Sequence, residues 1–254
     1  MMHGLLLMFV AGCKAPPDAP EELDELVGYL YAHVADEDDA PLEVGAANLD
    51  AWLGERLEET LDGYTVENLS EETVSSLGEG ERKLTDLAGA AVGHVSEATV
   101  EDLVSAALLE DAAEVYGPTY ISFEREFEGD VACFVAGDCD WLESEVWSSQ
   151  DFTLIQVETN SRIQYRWVDT PNGRAFVERT WLRVPATVSL DGLEVDQQYY
   201  VWMMLPEGDG SRSIQSTWIV AKMSGDQLDE DFALRMVINS MSKLATDLDT
   251  YVLQ

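Results

Sequence analysis

Residues 199–204, Tyr199-Tyr200-Val201-Trp202-Met203-Met204, form an unbroken run of aromatic and aliphatic side chains. Successive side chains of a β-strand point to opposite faces of the sheet, so this strand would be apolar on both faces. The run therefore predicts a central strand with a packed core on one side and a helix or a cavity on the other. Core packing and a ligand pocket both fit, and Tyr200 and Trp202 are the candidate pocket residues.

The segments around this run predict an antiparallel sheet. Aromatic and β-branched residues mark strands at 119–126, 131–135, 152–158, 162–168, 174–184, 197–205 and 213–223. Turn-forming residues at 159–161, 169–173 and 207–210 predict hairpins. Connections this short require a meander rather than parallel βαβ units. A long helix is predicted at 229–251, where apolar residues recur with helical spacing.

Before Gly117-Pro118 the apolar spacing is helical instead. Stripes at 23–34, 49–61, 84–95 and 100–108 each predict an amphipathic helix. The pentapeptides at 65–69, TVENL, and 99–103, TVEDL, are interpreted as the same helix start used twice. The expected fold class is α+β, in which an acidic helical N-terminal region precedes a curved antiparallel meander closed by a long C-terminal helix.

This order of elements resembles the helix-grip architecture of START and polyketide-cyclase-like domains. The resemblance covers about residues 119–254 and concerns element order alone, so no family residue is carried over. It implies a cavity for a lipid or another apolar ligand between the sheet and the final helix. That family usually has two short helices after its first strand, and the sequence does not show them between Val135 and Phe152. A lipocalin-like barrel also ends in a helix and stays open as an alternative.

The N-terminus resembles a bacterial lipoprotein signal. An apolar run at 5–9 leads into Val10-Ala11-Gly12-Cys13, which is similar to a lipobox. The resemblance implies cleavage before Cys13, acylation of that residue and attachment to a membrane. Lys14 occupies the position where Asp would signal inner-membrane retention in that family, so the outer membrane is expected.

Two cysteines remain for the folded region, Cys133 and Cys139. An even pair in an exported chain predicts a structural disulfide, with a redox-active pair as the alternative. The spacing is not that of a metal-binding C-x-x-C motif, and no histidine is near in sequence.

The net charge of −36 on 254 residues disfavours nucleic acids and anionic lipid headgroups as partners. Residues 1–118 contain just four basic side chains, namely Lys14, Arg56, Arg82 and Lys83. The predicted division is therefore a signal peptide at 1–12, an acylated tether at 13–20, an acidic helical region at 21–117 and a sheet with its helix at 118–254.

Arg162 and Arg166 alternate with apolar residues on one predicted strand. Arg179 lies on the next strand, on the face opposite Phe176, Glu178 and Thr180. On a concave face the three arginines could bind a carboxylate or phosphate through paired hydrogen bonds. The other interpretation is a solvated face where arginines offset the acidic surface. The acidic runs at 36–39 and 229–231 lack the ligand spacing of an EF-hand, and the second suits a helix N-terminus.

Known catalytic and nucleotide-binding motifs are absent from the sequence, and residues 119–254 contain no histidine. We therefore expect no catalytic residue, cofactor or metal. The expected function is a lipid-anchored envelope protein that binds an apolar or amphipathic ligand without catalysis. The alternatives are a scaffold that contacts another envelope protein through its helical region and, less favoured, a carboxylate-based hydrolase.

Overall fold

The structure is a computed structural model that describes residues 18–77, 87–151, 155–224, 226–227 and 229–254. The predicted signal peptide and lipidation site, Val10 to Cys13, lie outside the described residues, and so does Leu84. No helix in the described ranges has both the length and the apolar character needed to cross a membrane.

The described chain contains seven α-helices and ten strands. The helices are α1 Leu23–His33, α2 Ala40–Arg56, α3 Glu71–Ser75, α4 Val100–Ala107, α5 Ala113–Tyr116, α6 Val131–Val135 and α7 Glu230–Val252. The strands are β1 Tyr64–Thr65, β2 Ala88–Ser96, β3 Tyr120–Glu128, β4 Trp141–Asp151, β5 Gln156–Thr170, β6 Gly173–Leu182, β7 Thr187–Val188, β8 Leu193–Glu207, β9 Gly210–Met223 and β10 Asp226–Gln227.

All ten strands belong to one antiparallel, curved sheet. The main order is β1-β2-β9-β8-β6-β5-β4-β3, while β10 pairs with β9 and β7 pairs with β5. The predicted α+β class, the hairpins at 169–173 and 207–210 and the long C-terminal helix are confirmed. Asp229 caps α7 by accepting a hydrogen bond from the Phe232 amide, as its place in the acidic run suggests.

Helices cover both faces of the sheet. The outer face, which carries Val177, Tyr199 and Val201, packs against α1 and α2 in one hydrophobic core. The inner face, which carries Phe176, Trp202 and Met204, shares a second core with α4, α6 and the end of α7. The central strand β8 is thus buried on both sides, as its unbroken apolar run predicts.

The predicted helix at 84–95 is wrong, because residues 88–96 form β2 beside β9. Glycines allow close packing on the outer face of this strand. A Cβ atom on Gly93 would lie 2.1 Å from Thr60 Oγ1, and one on Gly89 would lie 2.7 Å from Trp218 Cδ1. A strand buried on both faces shows no period of two, so its apolar residues also match a helical stripe.

Two short helices, α4 and α5, follow β2 in the chain. They precede β3, whereas the sequence analysis considered two short helices between Val135 and Phe152.

The interpretation of the two pentapeptides is half right. Thr99 caps α4 by accepting a hydrogen bond from the Asp102 amide. Thr65, by contrast, belongs to β1 and pairs with Ala90, and no helix begins there. The Glu67 carbonyl accepts a hydrogen bond from the Trp218 indole, so the backbone of this segment bonds to the sheet.

Residues 131–135 form helix α6 rather than the predicted strand. Asp130 caps this helix through the Cys133 amide, and the buried Phe134 anchors it in the inner core. The predicted disulfide between Cys133 and Cys139 is present and ties α6 to the turn that precedes β4.

Strand β4 was missed, and the hairpin predicted at 159–161 is wrong because these residues lie inside β5. In β4 two of the inward positions, 144 and 148, are serines, whereas Trp141 and Trp147 face outward, so the strand lacks a clear hydrophobic alternation. Ser144 pairs with the Tyr165 hydroxyl and Ser148 with the Thr159 hydroxyl across the strands. Hydrogen bonds therefore satisfy polar residues that look like turn formers in the sequence.

The sheet contains a histidine, His94 on β2, because this strand precedes residues 119–254, where the sequence has none. Its Nε2 atom is 3.7 Å from an Asp249 carboxylate oxygen on α7, and Ser96 donates a hydrogen bond to the same carboxylate. These contacts join the edge of the sheet to the C-terminal end of α7.

Candidate functional site

A cavity of about 1010 Å³ lies between the inner face of the sheet and α7. This volume is at the upper end of the ~300–1,000 Å³ that is usual for small-molecule sites. Aliphatic and aromatic side chains form most of its wall, and the aliphatic ones include Val146, Ile163, Val195, Ile219, Val237 and Leu244.

Strand alternation positions the polar side chains of the cavity. Glu178 on β6, Trp202 on β8 and Gln215 on β9 are directly opposite one another in adjacent strands. All three line the cavity, and together they are named here the polar row. Tyr165 continues the same line on β5, and its ring packs against Phe176 and Phe134 in the inner core. The register thus places one carboxyl, one indole and one amide side by side.

Glu178 is the charged member of the polar row. Burial raises the pKa of its carboxyl to about 7, although the positive charge of Arg125 and a hydrogen bond from Thr180 oppose this rise. The Thr180 hydroxyl donates that bond over 3.1 Å. A buried carboxyl of this kind can hold its proton near neutral pH and then donate a hydrogen bond as well as accept one.

Four tyrosines interact electrostatically with this carboxyl, one each on α5, β3, β5 and β8. Burial raises the pKa of Tyr120 and of Tyr165 to about 12, and it also raises the pKa values of Tyr116 and Tyr200 well above their usual range. The hydroxyls therefore stay protonated at every physiological pH and can serve as hydrogen-bond donors.

Arg125 on β3 also lines the cavity, and its positive charge acts on the Glu178 carboxyl. Its guanidinium lies over the Phe123 and Phe127 rings, 4.9 and 5.4 Å from their centroids, and donates to the Ala107 carbonyl over 3.0 Å. Its buried Nε atom has no hydrogen-bond partner. The aromatic contacts and the carbonyl bond hold this charge at one edge of the cavity.

The structure separates the five candidate binding residues. Tyr200 and Trp202 line the cavity, as the pocket interpretation of their strand expects. Arg162, Arg166 and Arg179 lie on the outer face. Arg162 and Arg179 alternate with cavity-lining residues, and Arg166 lies between two residues of the inner core, Tyr165 and Trp167. The expectation that they form an anion site on the concave face is therefore wrong.

The alternative of a solvated arginine face is also wrong for Arg166 and Arg179, which are both buried. Arg166 donates to the Val34 carbonyl over 2.9 Å and pairs with Asp39, while Arg179 donates to the Tyr31 carbonyl over 3.1 Å. These carbonyls belong to the last turn of α1, where the helix dipole is negative. The two arginines thus attach α1 to the sheet. Arg162 instead pairs with Glu128 and Glu143 nearer the surface.

The sequence analysis did not single out Glu178, Arg125 or Gln215. A weak signal existed for Glu178, since a charged residue interrupts the inward phase of a strand otherwise set by Phe176 and Leu182. Gln215 and Arg125 have no local signal, because their neighbours become known only with the strand register.

Two carboxylates line the cavity among the described residues, Asp151 and Glu178. Their partners on β5 are Gln156 and Tyr165, which are nine residues apart. At about 3.3 Å per residue this is roughly 30 Å along the strand. A hydrolase with paired carboxylates needs both groups at one bond, so this arrangement does not support it.

The acidic run at 36–39 makes internal contacts. Asp36 lies 2.6 Å from the His33 ring nitrogen, and Asp39 pairs with Arg166. Within the described ranges, no three His, Cys, Asp or Glu side chains are grouped so that they could hold a metal ion.

No protein-family model and no curated protein matches this chain. Solved structures with a similar fold include a STAR-related lipid transfer protein from Xanthomonas axonopodis, which is 10% identical with a TM-score of 0.45 over 68% of this chain and 97% of that chain. A START superfamily protein from Mycobacterium smegmatis is 11% identical, with a TM-score of 0.41 over 65% and 97%. The Zhui aromatase/cyclase from Streptomyces sp. R1128 is 14% identical, with a TM-score of 0.39 over 66% and 92%. Identities and TM-scores this low carry no argument about function, so the function of this chain has to be inferred from its own cavity.

Proposed function

We propose that this chain binds an apolar or amphipathic small molecule in the cavity between the sheet and α7. The observation that carries this proposal is the volume of about 1010 Å³ inside a wall formed mainly by aliphatic and aromatic side chains. Protein interiors normally pack closely and leave few voids larger than a water molecule. A void of this size has a large apolar surface that a ligand of matching shape would remove from water.

The scaffold alternative has less support from the structure. Its contact surface would be the helical region, but the apolar stripes of α1 and α2 are already packed on the outer face. Leu23, Leu26 and Leu30 are fully buried there. The helical region therefore serves the core of this protein.

A bulky residue inside the cavity is expected to abolish ligand binding. Ser161 lines the cavity from β5, so Ser161→Trp places an indole where the ligand would lie. We expect its affinity for the neutral fluorophore N-phenyl-1-naphthylamine to fall at least about ten-fold, measured by fluorescence titration. The matched control is Glu158→Trp, an exposed position of the same strand on the outer face, which should bind like wild type.

Two outcomes of this titration count against the proposal. One is a wild-type protein that does not bind the fluorophore. The other is a Ser161→Trp protein that binds it as well as the wild type, provided that circular dichroism shows the same fold.

We also propose that the chain is exported and anchored in the outer membrane through an acylated Cys13. The resemblance at 10–13 supports this, and the Cys133–Cys139 disulfide is consistent with an oxidising compartment. Intact mass spectrometry of protein extracted from its host membranes should show a chain that starts at Cys13 and carries acyl mass. A Cys13→Ser variant should lack that mass. A wild-type chain that retains Met1 would contradict the anchor and leave the cavity proposal untouched.

A further inference from the structure

The polar row contains two buried groups without a hydrogen-bond partner. Trp202 is 7% exposed and its indole Nε1 donor is unpaired, while Gln215 is 2% exposed and its Oε1 acceptor is unpaired. The two residues are directly opposite each other on β8 and β9, and both line the cavity. Side chains in such positions start from Cβ atoms about 5 Å apart.

Leaving a buried donor or acceptor unpaired destabilises a protein. Native proteins keep few such groups, and those that persist usually have a functional reason. Here an unpaired donor and an unpaired acceptor are adjacent in the wall of one cavity. A single ligand group that both accepts and donates would satisfy the two at once.

We propose that the polar row binds the uncharged polar end of the ligand, a hydroxyl or an amide that accepts from Trp202 and donates to Gln215. This inference rests on the proposed function, because it concerns the same cavity. The ligand would be a neutral amphiphile, with one such group at the end of an apolar body.

The hydrogen-bonding capacity of Trp202 and Gln215 disfavours charged ends. An ammonium has donors but no acceptor, so the Trp202 indole would stay unpaired. A carboxylate has acceptors but no donor, so the Gln215 oxygen would stay unpaired. Glu178, opposite Trp202 in the same row, adds repulsion for an anion whenever it is ionised.

Arg125 does not change this assignment. Its positive charge acts on Glu178 of the polar row, so it balances that carboxylate when Glu178 ionises. Its guanidinium is moreover held by the Phe123 and Phe127 rings and by the Ala107 carbonyl.

The test compares two ligands that differ in one donor. We would measure how well 1-decanol and its methyl ether, 1-methoxydecane, displace N-phenyl-1-naphthylamine from the wild-type protein. Both have an apolar chain and an ether or hydroxyl acceptor, but only the alcohol can donate to Gln215. We expect the alcohol to bind about ten-fold more tightly, the effect of one buried hydrogen bond.

Two variants locate the effect. Gln215→Met removes the acceptor at similar size, and the advantage of the alcohol over the ether should disappear. Trp202→Phe removes the indole donor and should weaken both ligands by a similar factor. Trp181→Phe is the matched control, because Trp181 is a buried tryptophan on the outer face and its replacement should leave both affinities unchanged.

The outcomes separate this inference from the proposed function. If the fluorophore binds but the alcohol and the ether compete equally well, or if Gln215→Met keeps the difference, the polar row is not the site and the cavity proposal stands. If neither the fluorophore nor the ligands bind, both proposals fail. Thermal melting of each variant checks its fold, and Trp202→Phe provides a second readout if Gln215→Met does not fold.

Discussion

Replacing Arg166 by methionine is expected to lower the free energy of unfolding by about 2–4 kcal/mol, because buried carbonyl groups lose their donor. The Arg166 guanidinium donates to the carbonyls of Val34 and Asp36 at the end of α1 and pairs with Asp39. Methionine fills a similar length of the site but supplies no N–H group. The helix end then faces the sheet with unpaired acceptors. Chemical denaturation followed by circular dichroism measures the change.

Arg56→Met is the matched control for this prediction. Arg56 also makes ion pairs, with Glu22 and Glu59, but these three side chains are substantially exposed. Exposed pairs contribute little, so the loss should stay within about 1 kcal/mol. Equal losses in the two variants would show that Arg166 contributes no more than a surface ion pair does.

Replacing Trp218 by alanine should lower the free energy of unfolding by about 3–5 kcal/mol, as expected for a fully buried large aromatic residue. Trp218 is 0% exposed and lies on the outer face, with its ring centroid 5.8 Å from that of Tyr31. Its indole also donates to the Glu67 carbonyl over 2.7 Å. The substitution therefore opens a cavity between α1 and the sheet and leaves that carbonyl without its donor.

Trp147→Ala provides the comparison. Trp147 faces outward from β4 and is 36% exposed, so its removal opens no internal cavity and should cost within about 1 kcal/mol. Urea titrations followed by far-ultraviolet circular dichroism, with the disulfide intact, measure both variants. A Trp218→Ala protein as stable as Trp147→Ala would mean that the packing of α1 on the sheet contributes little to stability.

The sequence predicted elements well where one physical pattern dominated. The final helix shows a clear helical stripe, and the turns at 169–173 and 207–210 have the chemistry of hairpins. Prediction failed in β4 and at 159–161, where the wall of the cavity admits serine and threonine in place of aliphatic residues. A cavity relaxes the hydrophobic alternation that a packed core would impose.

The arginines show a second limit of the sequence. Alternation correctly placed Arg179 and Glu178 on opposite faces of one strand. It did not show which face was concave or that α1 would end over Arg166 and Arg179. That arrangement depends on how the N-terminal helices pack on the sheet, and the strand sequence carries no information about them.

The sequence by itself determined the class of the fold, the burial of β8 on both faces, the closing helix and the disulfide, because these follow from local periodicity and residue type. Tertiary structure alone decided that β2 joins β9 and that α7 covers a cavity rather than a filled core. It also decided that Glu178, Trp202 and Gln215 are neighbours. Strand register sets such neighbours, and register depends on which strands pair and where their turns fall, so residues distant in sequence meet only after the sheet has formed.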